Sequence, residues 1–223
     1  MIWSDIILNS ITEQTGHLIS VNVGRPREFE HQGRLAASAI WKTPVQGRVA
    51  ARGVNLEGDD QADREVHGGP DKAIYAYALE DIAWWEEELG RALGPAIFGE
   101  NLTTSGVEVT SAVIGETWEV GTALLEVSEP RGPCWKLGAK MEDPAFPKRF
   151  TKAGRPGAYL RIARAGILAA GDEIRIVSRP EHGVSVGDVF RIYSKERHRA
   201  ALLLTIPELS EDWKSWARAH LER

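Results

Sequence analysis

Thr117-Trp-Glu-Val-Gly-Thr-Ala-Leu-Leu-Glu-Val127 is the stretch on which the fold turns. Two short β-prone runs, Thr117 to Val120 and Ala123 to Val127, flank Gly121, a residue that lets the chain reverse direction at little steric cost. Outward from this pair the pattern repeats. Gly157 to Ala163 and Glu173 to Val177 read as further strands, with Gly115, Gly166 and Gly171 punctuating them. Upstream, Trp3 to Asn9 and Leu18 to Val23 are β-rich runs that Thr15-Gly16 would join as a hairpin, and Leu35 to Trp41 and Gln46 to Val54 continue the series. Many short strands with glycine turns predict a closed or nearly closed barrel, mainly β with helices (α+β), rather than a parallel α/β sheet. One helix is clear in this half, Leu79 to Leu89, with Gly90 as its C′ residue and Glu86 to Glu88 on a solvated face.

After Pro180 the periodicity becomes helical. Val186, Val189, Phe190 and Tyr193 mark a helix that Ser185 would cap; Ala200, Leu203 and Leu204 mark a second, ended by Pro207. Ser210 would cap a third, with Trp213, Trp216 and Ala217 on its apolar face. The division expected is a barrel over residues 1–178 and a three-helix unit over 179–223, too thin to stand alone and therefore docked on the barrel. These helices carry no concentrated cationic cluster. The expectation is that they bear no chemistry and cover barrel surface, dock a partner (an identical subunit in a homodimer, or an electron donor) or close on themselves.

The 223 residues are 43% hydrophobic and 26% charged, ordinary globular composition, with a formal net charge of −5. An acidic balance argues against polymeric nucleic acid or an anionic membrane as partner. The amino terminus has no basic start and only a short apolar stretch, so a cytoplasmic protein is expected.

The single cysteine, Cys134, stands in Glu129-Pro-Arg-Gly-Pro-Cys-Trp-Lys136. Arg131 and Lys136 on either side favour negative charge on sulfur, the form that attacks electrophiles or binds soft metals. The alternative is a small buried hydrophobe. A second segment, Gly58-Asp-Asp-Gln-Ala-Asp-Arg-Glu-Val-His-Gly-Gly-Pro-Asp-Lys72, offers a Gly68-Gly69 turn suited to anions, between His67 and Lys72; a purely structural turn is the other reading. Phe98-Gly-Glu-Asn-Leu102 adds the amide of Asn101, and Ser38-Ala-Ile-Trp-Lys-Thr-Pro-Val45 adds Lys42. Together these donors and cations would suit an anionic cofactor held through sulfur. The scattered histidines lack zinc spacing, and neither a dinucleotide fingerprint, a phosphate loop nor a serine-hydrolase elbow occurs. A Cys134–His67 dyad would require the two to be adjacent in space.

These motifs, with Tyr159-Leu-Arg161 and Gly171-Asp172, resemble the MOSC domain family, named for the C-terminal part of molybdenum cofactor sulfurase, and are most similar to its bacterial YiiM-type branch with a three-helix extension. Glu129 stands where that branch commonly has Gln, and Ala158 where an aromatic is usual. The resemblance implies a β-barrel binding a molybdenum–pterin cofactor (Moco), with Cys134 as metal ligand and catalytic residue, and Lys42, His67, Lys72, Asn101, Arg131 and Lys136 binding the cofactor. It further implies reduction of small N-hydroxylated compounds such as hydroxylamino bases, a detoxification. The chain has no flavin, nicotinamide, haem or iron–sulfur motif, so electrons would come from a separate flavin-type reductase. The alternative is a carrier that uses Cys134 to hold cofactor or persulfide sulfur without turnover. A family association with pyridoxal phosphate finds no lysine in a recognisable Schiff-base context.

Overall fold

The computed structural model describes residues 15–60 and 68–222. Its strands are β1 (Thr15–Val23), β2 (Arg27–His31), β3 (Arg34–Ser38), β4 (Thr43–Pro44), β5 (Val49–Arg52), β6 (Asn55–Leu56), β7 (Ile74–Ala78), β8 (Leu102–Ser105), β9 (Thr117–Val120), β10 (Ala123–Pro130), β11 (Ala158–Arg164), β12 (Gly166–Leu168) and β13 (Glu173–Ser178). Seven of them close a barrel in the order β13-β9-β10-β11-β7-β8-β1, with β1 returning to β13. No helix among the described residues is long and apolar enough to cross a membrane.

The opening stretch forms the β9–β10 hairpin. Trp118 pairs with Leu125 and Val120 with Ala123 across a turn in which Gly121 holds φ 57°. The side chains of Trp118, Val120, Ala123, Leu125 and Val127 are all buried, following the period of two that a strand imposes. With Leu18, Leu160 and Ile174 they fill the interior, so the barrel is packed rather than hollow. Its one parallel pairing, β7 with β8, is bridged by the Leu79–Leu89 helix, as a parallel crossover requires.

Thr15-Gly16 is not a hairpin turn. Both residues lie inside β1, opposite Arg175 and Ile174, where they close the barrel. Glycine is needed at position 16 for close approach: a Cβ there would stand 2.6 Å from the Ser105 carbonyl oxygen. The strand expected over Trp3 to Asn9 falls outside the described residues.

Every residue of β7 is buried, because the strand is covered on both sides. Ile74, Ala76 and Ala78 face the barrel core, while Tyr75 and Tyr77 face a second cluster of Ile40, Ile82, Trp85, Phe98, Leu137, Phe146 and Phe150. Two short helices, Trp135–Met141 and Phe146–Ala153, supply part of this second cluster. Each fully buried aromatic contributes roughly 1.5–3 kcal/mol of hydrophobic stabilisation.

The C-terminal elements are the Val186–Ser194 helix, a 3-10 segment over Arg197–Thr205 in place of the second helix, and the Glu211–Leu221 helix. Ser185 caps the first with a reciprocal capping box through Asp188. Ser210 occupies the N-cap position of the last helix without making a capping bond. Val186, Phe190, Leu203, Ile206 and Ala217 belong to the same hydrophobic cluster as the barrel interior. Backbone bonds from Ile114 to Val184 (3.0 Å) and from Val186 to Ala112 (2.9 Å) fix the junction.

Candidate active site

β10 delivers the cysteine motif to the edge of the barrel. The strand ends at Pro130, and Cys134, with φ −135° and ψ 154°, occupies the N-cap position of the Trp135–Met141 helix. Its side chain is partly exposed and opens on a cleft of about 350 Å³. The cleft brings Lys42, Lys72, Asn101, Arg131 and Lys136 to Cys134, segments that the sequence scatters over nearly a hundred residues. His67 lies outside the described residues.

Arg131 is the inner cation. Its guanidinium is buried, donates to the Phe98 carbonyl, lies 4.9 Å above the Tyr75 ring, and brings Nη2 to 3.9 Å from Cys134 Sγ. Burial opposes its charge, but Tyr75, Cys134 and Tyr159 around it raise its proton affinity, so it stays a cation. Burial likewise drives the phenols of Tyr75 and Tyr159 upward, so both remain neutral donors.

Two of the expected cofactor-binding groups are engaged by a residue the sequence reading did not single out. Asp59 accepts from Lys42 Nζ at 2.5 and 2.6 Å, from Asn101 Nδ2 at 2.9 Å and from the Gly24 amide at 2.7 Å. Asn101 also accepts from the Tyr75 amide and donates to the Asn22 carbonyl, so both of its amide protons are engaged. Burial lowers the proton affinity of Lys42 and Asp59 works against that shift.

Lys72 bonds to Asp212 at 2.5 Å and lies 3.9 Å from Glu129 Oε1. Burial lowers its proton affinity, but Glu129 and Asp212 outweigh this and raise it. Of the cations expected around the thiol, Lys42 and Lys72 are thus paired with Asp59 and Asp212, which line the same cleft. Arg131 and Lys136, beside Cys134, are in no ion pair among the described residues.

The C-terminal helices, expected to bear no chemistry, form a wall of the cleft. Tyr193, Asp212, Trp213 and Trp216 line it, with Tyr193 packed 5.3 Å from Trp213 and 5.2 Å from Trp216. The apolar face expected to cover barrel surface, dock a partner or close the bundle on itself thus lines the cleft. No sequence signal marked this, because an apolar stripe looks the same whether it faces a core or a cleft.

Glu129 is the residue of the site most at odds with its surroundings. It is 2% exposed, and both Glu129 Oε2 and the nearby Ser210 Oγ are buried without a hydrogen-bond partner. Burial pushes its carboxyl up to about 7, with Lys72 and Ser210 pulling down and Asp212 and Asp71 pushing up.

A barrel with a cation-flanked thiol beside its rim defines a class, and comparison with known proteins gives it a name. The family profile described as MOSC domain matches residues 63–175. YflK of Bacillus subtilis, an uncharacterized protein, is 36% identical over 201 residues, 89% of this chain and 91% of that one. YiiM of Escherichia coli is 35% identical over 64% of this chain and 65% of its own length. A protein of Gibberella moniliformis named "Reductase" is 33% identical over 81% of this chain, which spans 33% of that protein. The crystal structure of YiiM from Geobacillus stearothermophilus superposes with a TM-score of 0.77 at 33% identity, covering 92% of this chain and 99% of that one. The chain belongs to the MOSC-domain family, in its YiiM branch. Membership associates it with molybdenum-cofactor biology.

The residues present fit such a group. No three His, Cys, Asp or Glu side chains among the described residues stand close enough to hold a bare metal ion. A metal that arrives with its own pterin ligand needs only one soft protein donor, and Cys134 offers it. Arg131 and Lys136 supply positive charge at the same end of the cleft.

Proposed function

We propose that the protein is a molybdenum-cofactor-dependent reductase of small N-hydroxylated compounds, receiving electrons from a separate flavin-type reductase. The observation that carries this reading is the partly exposed Cys134 thiol at the mouth of a cleft with the Arg131 guanidinium 3.9 Å from its sulfur. Cys134 would ligate the metal; Arg131 and Lys136 would hold anionic parts of the cofactor, and Lys42 and Asn101 would act through Asp59 to shape the floor. When bound, the cofactor supplies the two-electron centre at which an N–O bond is reduced. Tyr193, Trp213 and Trp216 restrict water on the opposite wall. The Gibberella relative supports a redox role, since it is named a reductase and two thirds of its length lies outside the match.

A second reading is favoured by one feature. Cys134 also lines an outer groove with Lys148, Lys152 and Lys195, so a partner protein could reach the sulfur from outside and the chain could carry cofactor or persulfide. The deciding experiment purifies the protein from a host that makes the cofactor and measures molybdenum, pterin and sulfane sulfur per chain, then assays a hydroxylamino purine with a chemical reductant. About one molybdenum and one pterin per chain with amine formation supports the reductase. Sulfane sulfur without molybdenum, or cofactor without turnover, supports the carrier.

A further inference from the structure

We propose that Glu129 is the proton donor of this cleft: its carboxylic acid gives up the proton with which the hydroxyl oxygen of an N-hydroxylated substrate leaves as water. The inference rests on the reductase reading and deepens it by naming the acid. Reducing an N–OH group to N–H breaks the N–O bond, takes two electrons from the flavin-type donor, and consumes two protons. One must reach the departing oxygen, since hydroxide is a poor leaving group in a cleft partly shielded from water. The other goes to nitrogen from solvent, which also returns a proton to Glu129.

The geometry singles out this residue. Of the four carboxylates in the lining, Asp59 holds three donors and Asp212 bonds to Lys72, while Asp60 has further contacts of its own. Glu129 alone among them combines near-complete burial with an unpartnered oxygen, Oε2. A buried carboxylate oxygen with no donor is costly as an anion, whereas a protonated one has an O–H to offer. The groups facing it are Lys72 and Asp71 from the 3-10 turn Pro70–Lys72, Tyr159 from β11, and Ser210 and Asp212 at the start of the last helix. Two negative neighbours and burial oppose ionisation; Lys72, itself shared with Asp212, and Ser210 favour it but do not outweigh the burial. A carboxyl held near 7 is protonated often enough to donate and ionised easily enough to let go at neutral pH.

The test has two readouts. In the protein without cofactor, infrared titration should show a protonated-carboxyl band disappearing with a midpoint near 7. That band should be absent in Glu129→Gln, and its midpoint should move upward in Lys72→Met, which still presents the acid if the first variant fails to fold. In cofactor-loaded protein with a chemical reductant and a hydroxylamino purine, the wild-type rate should fall above the same midpoint. Glu129→Gln should lose about tenfold or more at the acid side and lose that limb. A missing band, or an unaltered rate and pH limb in Glu129→Gln beside an active wild type, would overturn the proposal alone. A wild type that binds cofactor, shows the band and reduces nothing would overturn the reductase reading and, with it, the donor role.

Discussion

Asp212 on the last helix holds Lys72 beside the barrel at 2.5 Å, across 140 positions of sequence. The pair stands over a continuous hydrophobic cluster that runs from the barrel interior into the C-terminal helices. Truncation after Val177 would therefore bare Ile114 and the core side of the barrel and remove a wall of the cleft. The expected outcome is an insoluble or non-cooperatively unfolding fragment, checked by soluble yield and circular dichroism. A soluble barrel with a sharp unfolding transition would contradict it.

Cys134→Ser should separate metal binding from folding. The cysteine occupies a helix N-cap position without making a capping bond, and serine is among the preferred residues there. Stability is expected to stay within about 1 kcal/mol of wild type, while molybdenum content falls to background because a hydroxyl is a poor soft-metal ligand. Metal analysis beside urea denaturation checks both halves.

Asp59→Asn should be far more damaging than its position in a loop suggests. The aspartate and Lys42 are almost fully enclosed, with side chains 2% and 8% exposed, and the same carboxylate also holds Asn101 and the Gly24 amide. Removing one partner strands a buried ammonium, a loss of about 3–5 kcal/mol. Urea unfolding of the single variant measures it. The Asp59→Asn/Lys42→Met double variant should recover much of the loss, since the unpaired charge is then gone.

The strands at Thr117 to Val120 and Ala123 to Val127 were legible because alternation of buried and exposed side chains is a local signal, as in Trp118 and Val120 against Leu125 and Ala123. The Trp135–Met141 and Phe146–Ala153 helices were not: seven and eight residues are too short to show a helical period. Thr15-Gly16 misled because a glycine required for close approach looks like a glycine required for a turn. In the site, the motif residues Lys42, Lys72, Asn101, Arg131 and Lys136 line one cleft with Cys134. The motifs could not show that Asp59 and Asp212 would claim two of them, since a solvated acid and a buried partner have the same letter.

Glu129 makes the fold's stability depend on pH, independently of any cofactor. In the unfolded chain its carboxyl ionises at the ordinary value of 4.5; in the folded protein burial holds it near 7. Below 4.5 both states carry the proton and the residue contributes no pH dependence. Between 4.5 and 7 the unfolded state releases a proton that the folded state keeps, so stability falls as pH rises; above 7 both are ionised and the loss levels off. Glu129→Gln cannot ionise and escapes this loss. The variant should match wild type in relative stability at the acid end and gain on it through this window, by on the order of 2–3 kcal/mol at the alkaline end. Urea denaturation midpoints of the two proteins across the window measure the difference. A gap that stays constant with pH, or that widens toward acid, would show that the Glu129 carboxyl is not held neutral by its burial.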